Sequence, residues 1–268
     1  KASKMAARDN SDMLQLGFAK VFVGGVVDSA TAVMVEDYAD QPGWRGDPLF
    51  TPENFARVAV EADRRGLQIA VHAIGDGAVR ITLDGYAAAQ KANGKRDSRH
   101  RVEHVEVIHP DDIPRFARLG VIASMQPPHP PGCHGLPLEP YLSRLGEKRW
   151  PFAFAQRAIR NTGAHVVFAT DWPVSDIDPL WSIQSAMTRG RWTSAMPDNR
   201  VSLHEAIHSY TVEGAYAGFM DGKTGVLKPG LLADVTVLAG NLERTDPDAV
   251  RTIRPRITIC DGRMVFGQ

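Results

Sequence analysis

The sequence predicts an α/β protein with parallel strands joined by crossover helices, followed by a small β segment. Three observations carry this. Short apolar runs alternate with amphipathic helical patterns about five times before residue 200. The apolar runs are hydrophobic on both faces, as strands covered on two sides require. Beyond Gly225 the pattern changes to alternating segments and turn signals. A chain of 268 residues can bury a sizeable core.

Phe18 to Gly24 reads as a short strand broken by Gly24 and Gly25. A polar stretch rich in Pro and Gly runs to Phe50. Thr51 then has the character of an N-cap, with Pro52 at the first helical position and Glu53 in the first turn. Phe55, Val58, Ala59 and Ala62 share one helical face, and Gly66 ends the helix. Leu67 to His72 is the next strand, and Asp76 is placed to cap a helix reaching about Asn93. Arg101 to Val107 is strand-like. Pro110 to Leu119 reads as a helix whose Asp111 and Asp112 suit its N-terminal dipole.

Val121 to Gln126 is a further strand. Pro127 to Pro140 is too rich in Pro and Gly to be anything but a loop. Helices are expected over Trp150 to Asn161, Pro179 to Arg189 and Leu203 to Phe219, with a strand at His165 to Thr170. In the tail, Leu232 to Leu238 and Arg256 to Val265 alternate like strands. Asp261-Gly262 is a hairpin turn signal. The expected division is an α/β region over residues 1–220 and a β segment over 221–268.

Composition narrows the function classes. Lys+Arg and Asp+Glu number 31 each, so bulk charge steers the chain toward neither nucleic acid nor anionic membrane. No apolar run approaches the roughly 20 residues of a spanning helix. The polar start, Lys1 to Asn10, lacks a signal core. A cytoplasmic protein is expected. Cys133 and Cys260 cannot build a disulfide framework and lack zinc-ribbon spacing. No GxGxxG follows a strand, which disfavours a dinucleotide-binding fold. No GxSxG elbow is present, which disfavours a serine hydrolase.

Chemistry-bearing side chains collect at strand ends. His72 ends one predicted strand, His104 lies on another, Asp171 follows a third and Lys20 lies on a fourth. In a parallel barrel, functional groups gather at the carboxyl ends of strands. Two imidazoles and a carboxylate are a reasonable ligand set for Zn²⁺ or a similar ion. Each residue also has a plainer reading. A histidine at a strand end is often a hydrogen-bonded structural group, Asp171 could cap the following helix, and Lys20 could be a surface lysine.

Five strings sharpen the choice. They are Val71-His72-Ala73-Ile74-Gly75-Asp76, Arg101-Val102-Glu103-His104, Ala123-Ser124-Met125-Gln126-Pro127-Pro128-His129, Phe168-Ala169-Thr170-Asp171-Trp172-Pro173-Val174-Ser175 and Tyr210-Thr211-Val212-Glu213-Gly214-Ala215-Tyr216-Ala217. With Gly225 to Gly230 and Ala233-Asp234-Val235 in the tail, the chain resembles the third amidohydrolase family from about Phe18 onward. That branch includes N-substituted formamide deformylases and other metal-dependent hydrolases. The resemblance implies a TIM-barrel-type (β/α)8 fold with a small C-terminal β appendage. His72 would end the fifth barrel strand, His104 the sixth and Asp171 the eighth. Lys20 would lie on the fourth.

The same resemblance implies His72, His104 and Asp171 as metal ligands, with Asp171 and His104 catalytic. Lys20 would be a further ligand, carboxylated where it bridges two metals, because burial lowers a lysine's pKa and frees its amine to capture CO₂. An unmodified lysine or a one-metal site is equally compatible. The expected cofactor is one or two divalent ions, zinc being the natural choice. His129, Gln126 and Trp172 are expected substrate contacts, and His134 shares their loop. His109 is read as structural; His100, His165, His204 and His208 as surface or packing residues.

Two departures from the family pattern stand out. Gly24-Gly25 replaces a common Asp-Gly, and no His-x-His pair occurs anywhere in the chain. The matched region opens at the fourth strand, so the expectation is a C-terminal portion of a longer protein lacking the first three strands. Five units cannot close an eight-stranded cylinder. Pairing with that N-terminal portion or with another subunit is therefore expected.

The implied reaction is metal-assisted hydrolysis of an amide or formamide-like C–N bond in a small molecule. The alternatives are deamination of a cyclic amidine and a non-catalytic fragment or binding protein that keeps the fold.

Overall fold

The structure is a computed structural model that describes residue 11, residues 14–133 and residues 135–267. The polar start and His134 lie outside the described residues. Two compact units divide the chain. The first holds the described residues up to Met125, with Pro137–Val166 and Arg191–Asp198. The second holds Gln126–Leu136, Val167–Gly190 and the described residues from Asn199.

The first unit is built on a parallel sheet, as expected of an α/β chain. Its strands are β1 (Phe18–Phe22), β2 (Gln68–Ala73), β3 (Arg101–His104) and β4 (Ile122–Met125), with β1 to β4 neighbours in that order. The three pairings among them are parallel. β5 (Val166–Phe168) is next in order, and the Ala123 N–H donates to the His165 carbonyl at 3.0 Å. Every residue of β2 and β4 is buried, which explains why those runs are apolar without alternation.

Crossover helices follow the strands. α1 (Pro52–Arg64) starts as its sequence requires: the Thr51 side chain accepts from the Asn54 N–H, and Pro52 occupies the first turn. α2 (Asp76–Asn93) packs against α1, and the join is close enough that a Cβ on Gly85 would sit 2.4 Å from the Phe55 ring. A short 3₁₀ turn at Pro110–Asp112 leads into α3 (Ile113–Leu119). α4 (Tyr141–Leu145) and α5 (Gln156–Asn161) complete the unit's helices. A core cluster around Met34, Tyr38, Tyr141, Leu145 and Phe154 fills the space beyond the sheet, with Trp150 and Trp192 packed against it.

Three expectations need correction. Asp76 does not cap α2. The N-cap is Gly75, without a side-chain hydrogen bond, and the buried Asp76 carboxylate accepts from the Val35 N–H at 2.8 Å. Glycine at 75 and 77 is what allows the backbone at Val33 and Met34 to lie against this helix start. A Cβ on Gly75 would meet the Val33 carbonyl oxygen at 2.2 Å. Desolvation raises the Asp76 pKa, and the Val35 N–H offsets part of that.

Second, Trp150 to Asn161 is not one helix. Phe154 adopts φ +49° and its N–H donates to the Glu106 carbonyl at 2.7 Å, leaving a 3₁₀ turn at Trp150–Phe152 before α5. Third, Leu203 to Phe219 splits at Thr211 (φ −105°, ψ −77°) into α7 (Leu203–Tyr210) and α8 (Val212–Ala217).

His100 is neither a surface residue nor simple packing. It is 3% exposed; its Nδ1 accepts from the Ile69 N–H at 3.1 Å, and its Nε2 lies 3.1 Å from Asp63 Oδ1. Because an amide can only donate, Nδ1 is the acceptor and the Nε2–H donates to Asp63. Burial pushes the His100 pKa down from 6.5 to about 4 against the pull of Asp63. Burial opposes ionisation of Asp63 too, yet hydrogen bonds from Asn93 and Ser98 and the Arg96 charge win, and its pKa is lowered.

Both shifts make the folded state bind protons less readily than the unfolded chain, so their stabilisation is lost as pH falls. For His100 the window runs from 6.5 down to about 4 and is worth about 3 kcal/mol. Denaturant midpoints are expected to drop steeply between pH 6.5 and 4, and His100→Gln is expected to flatten that slope. Equal midpoints for the wild type at both ends would count against the assignment.

The second unit contains α6 (Pro179–Thr188), α7, α8 and an antiparallel sheet of β6 (Val235–Leu238), β7 (Pro255–Cys260) and β8 (Arg263–Phe266). Ser202 and Glu205 form a reciprocal capping box at the start of α7. The β7–β8 turn is Asp261-Gly262 with φ +48° and +73°, the left-handed pair that a tight hairpin needs. Among the described residues, no helix is long and apolar enough to cross a membrane.

Candidate metal centre

His72 lies at the carboxyl end of β2 and His104 is the last residue of β3. Both are buried. The register pairs Ala73 with His104, so strict alternation would put His104 on the opposite face from His72. The backbone departs from alternation at that point: φ is +80° at His104 and +50° at Val105. Such values cost of order 1–3 kcal/mol at a residue with a side chain. They are rarer still at a β-branched one. The two imidazole rings then meet edge to face, with centroids 4.5 Å apart. Strain concentrated at a buried histidine pair points toward function.

The His72 ring is held on other sides as well. Phe22 stacks on it at 4.9 Å, and its Nε2 lies 3.2 Å from the Gly25 carbonyl oxygen. A carbonyl can only accept, so Nε2 carries the hydrogen and the lone pair of the neutral ring sits on Nδ1. A backbone carbonyl that fixes the tautomer in this way is typical of a metal-ligating histidine.

Lys20 lies on a strand, as its sequence position implied. It is exposed on β1, the first strand in the sheet order, with Nζ 5.2 Å from the Phe22 ring centroid.

The sequence reading also missed two polar residues on the His72 face. Glu103 is the register partner of His72 and Arg101 that of Ala70. Arg101 Nε and Glu103 Oε1 are 3.0 Å apart. Counting by twos back from Glu103 would have found the pair, because i and i+2 share a face.

In the second unit, an imidazole nitrogen of His129 and a carboxylate oxygen of Asp171 lie within 4.8 Å of each other. Asp171 has φ +59°, another strained non-glycine position. It does not cap the next helix; Asp178 does, accepting from the Leu180 N–H at 2.9 Å. The His129 N–H donates to the Gln126 carbonyl at 3.1 Å, closing a turn in the Pro-rich loop. Gln126 is buried and His129 half-buried, whereas Trp172 is 65% exposed.

The donors present fit a divalent ion. Imidazole nitrogen and carboxylate oxygen are the ligand types zinc takes, and buried His72 and His104 supply the nitrogens in the first unit. The other described histidines outside this set lie as follows. The His109 Nδ1 accepts from the Asp111 N–H at 3.3 Å, while His204 and His208 are exposed beside Glu243 and Glu213. His165 is half-buried.

Comparison with known proteins agrees with this chemistry. The model of an amidohydrolase family matches residues 1–266. The chain is 37% identical over 235 residues to the Arabidopsis thaliana protein LONG AFTER FAR-RED 3, covering 86% of this chain and 40% of that protein. It is 26% identical over 234 residues to the N-substituted formamide deformylase of Arthrobacter pascens, covering 85% and 41%. Among solved structures, an uncharacterized metal-dependent hydrolase from Pyrococcus furiosus superposes with a TM-score of 0.72 at 28% identity, covering 85% of this chain and 47% of that one. The chain spans less than half the length of the curated relatives it matches.

Proposed function

The chain belongs to the amidohydrolase family, and from that premise we propose that it carries part of a metal-dependent hydrolase acting on a non-peptide C–N bond. The observation that carries the reading is the buried His72–His104 pair, with its rings in contact and His104 strained. In the proposal His72, His104 and Asp171 hold the ion, with zinc the best chemical match for imidazole and carboxylate donors. Lys20 on β1 is a further ligand in the proposal, carboxylated where it bridges two ions. The ion supplies Lewis acidity and favours ionisation of water near neutral pH.

The chain's own residues supply the rest. The Asp171 carboxylate accepts a proton from the attacking water and returns it to the leaving nitrogen, as general base and then acid. His104 helps to steady the oxyanion that develops on the attacked carbonyl. Gln126, His129 and Trp172 contact the substrate. In the same proposal, residues up to about 220 supply strands four to eight of a (β/α)8 barrel, and residues 221–268 a β segment beside it. The first three strands come from an N-terminal portion or a neighbouring subunit. The relative that is an N-substituted formamide deformylase supports a formamide-like substrate.

The test is formate release from a panel of N-substituted formamides by the protein that carries this chain, with and without added zinc. Zinc-dependent formate release is the expected result. Ammonia release from cyclic amidines without formate would move the assignment to a deaminase. Release of neither product with zinc present would overturn the hydrolytic reading.

A further inference from the structure

We infer that Gly25 is a positioning residue for His72: its carbonyl sets the ring tautomer that offers Nδ1 to a metal ion, and only glycine can place that carbonyl there. The inference deepens the metal-ion reading above and rests on it for its functional meaning. The Gly24-Gly25 step is where the sequence departs from its family, so it lacks the carboxylate usual at the first position.

The turn that carries Gly25 is closely specified. β1 runs on past Phe22, and the Val23 N–H donates to the His72 carbonyl at 3.2 Å, which keeps the chain beside the end of β2. The Gly25 N–H donates to the Thr31 carbonyl at 2.9 Å, and the N–H groups of Thr31 and Ala32 both donate to the Val26 carbonyl at 3.0 Å. The Val26 N–H donates to Thr31 Oγ1 at 3.0 Å. These bonds close a loop whose first carbonyl is aimed at His72 Nε2.

No larger residue fits position 25. A Cβ there would lie 2.1 Å from Thr31 Oγ1 and 2.6 Å from Thr31 Cβ. Relieving that contact means moving the turn, and with it the carbonyl. Position 24 is tight as well, with a Cβ falling 2.9 Å from Val33 Cγ2.

The consequence for His72 is specific. With the carbonyl in place, the hydrogen stays on Nε2 and the lone pair on Nδ1. Phe22 against the ring and His104 at its edge hold the plane. If the carbonyl moves, the ring can exchange tautomers and rotate. A metal site whose outer hydrogen bond is lost typically binds about 10- to 100-fold more weakly.

The experiment is nitrogen-15 NMR of the His72 ring in the metal-free full chain, paired with calorimetric zinc titration. In the wild type, the hydrogen is expected on Nε2 and not on Nδ1. Gly25→Ala is expected to mix the tautomers and weaken zinc binding by about 10- to 100-fold. The double variant Gly25→Ala with Thr31→Gly removes the colliding atoms but also the Oγ1 acceptor of the Val26 N–H, and is expected to recover both in part.

A wild-type ring protonated on Nδ1 would overturn the inference, even if Gly25→Ala fails to fold. So would a folded Gly25→Ala with an unchanged tautomer. If the wild-type ring is as expected and responds to Gly25→Ala, but no zinc binds, the positioning stands and the metal-ion reading fails.

Discussion

His72→Ala is expected to lower zinc affinity by more than about 100-fold, beyond the usual cost of losing an outer partner alone. The substitution removes a ligand nitrogen and leaves His104 facing a gap where the other ring stood. It also strips the Gly25 carbonyl of its donor. Calorimetric titration of wild type and variant checks this, with thermal melts to confirm that both fold. Unchanged zinc affinity in a folded His72→Ala protein would remove His72 from the ligand set. His104→Ala is expected to behave similarly, and because alanine keeps the Cβ that makes φ +80° costly, only His104→Gly is expected to relieve that strain.

Asp171→Asn is expected to cut hydrolysis by about 10²- to 10⁴-fold, the usual yield of a positioned acid–base group. The amide keeps the shape of the side chain but cannot take the proton from water. Asp178, not Asp171, caps α6, so the change does not undermine that helix. The informative comparison is kcat against zinc occupancy in the protein that carries this chain. A large loss in kcat with stable folding supports the assigned role, and a variant with wild-type kcat would refute it.

The local grammar of the fold was legible where short-range chemistry decides. Thr51-Pro52-Glu53 announces the start of α1, and the Thr51 side chain does accept from the Asn54 N–H. Asp261-Gly262 announces the β7–β8 hairpin, and both residues have positive φ. The apolar runs that became β2 and β4 are buried throughout, as their lack of alternation implied. Where long-range contacts decide, the pattern misled. Asp76 has the spacing of a cap but spends its carboxylate on Val35, 41 residues away in sequence. Phe154 interrupts a helical pattern because its N–H is claimed by Glu106. His100 is one histidine among nine in the sequence and shows its role only when Asp63 and Ile69 meet it.

The site follows the same division. His72 and His104 could be picked from strand-end positions and from motif resemblance. Their contact could not, because alternation alone would have separated the rings and the positive φ at His104 is invisible in residue order. In residue order the notable position is Gly24, where a carboxylate is usual, and Gly25 keeps the glycine of that pattern. The Thr31 contact that makes glycine necessary, and the carbonyl it delivers, appear only in three dimensions.

In the proposed reading the carboxyl ends of β2 and β3 hold a divalent ion through His72 and His104. Zinc-edge anomalous diffraction from crystals of the protein grown with zinc would locate that ion. A strong peak is expected within bonding distance of a ring nitrogen of each of these two histidines, on Nδ1 in the case of His72. A zinc peak elsewhere, with both imidazoles bare, would contradict it.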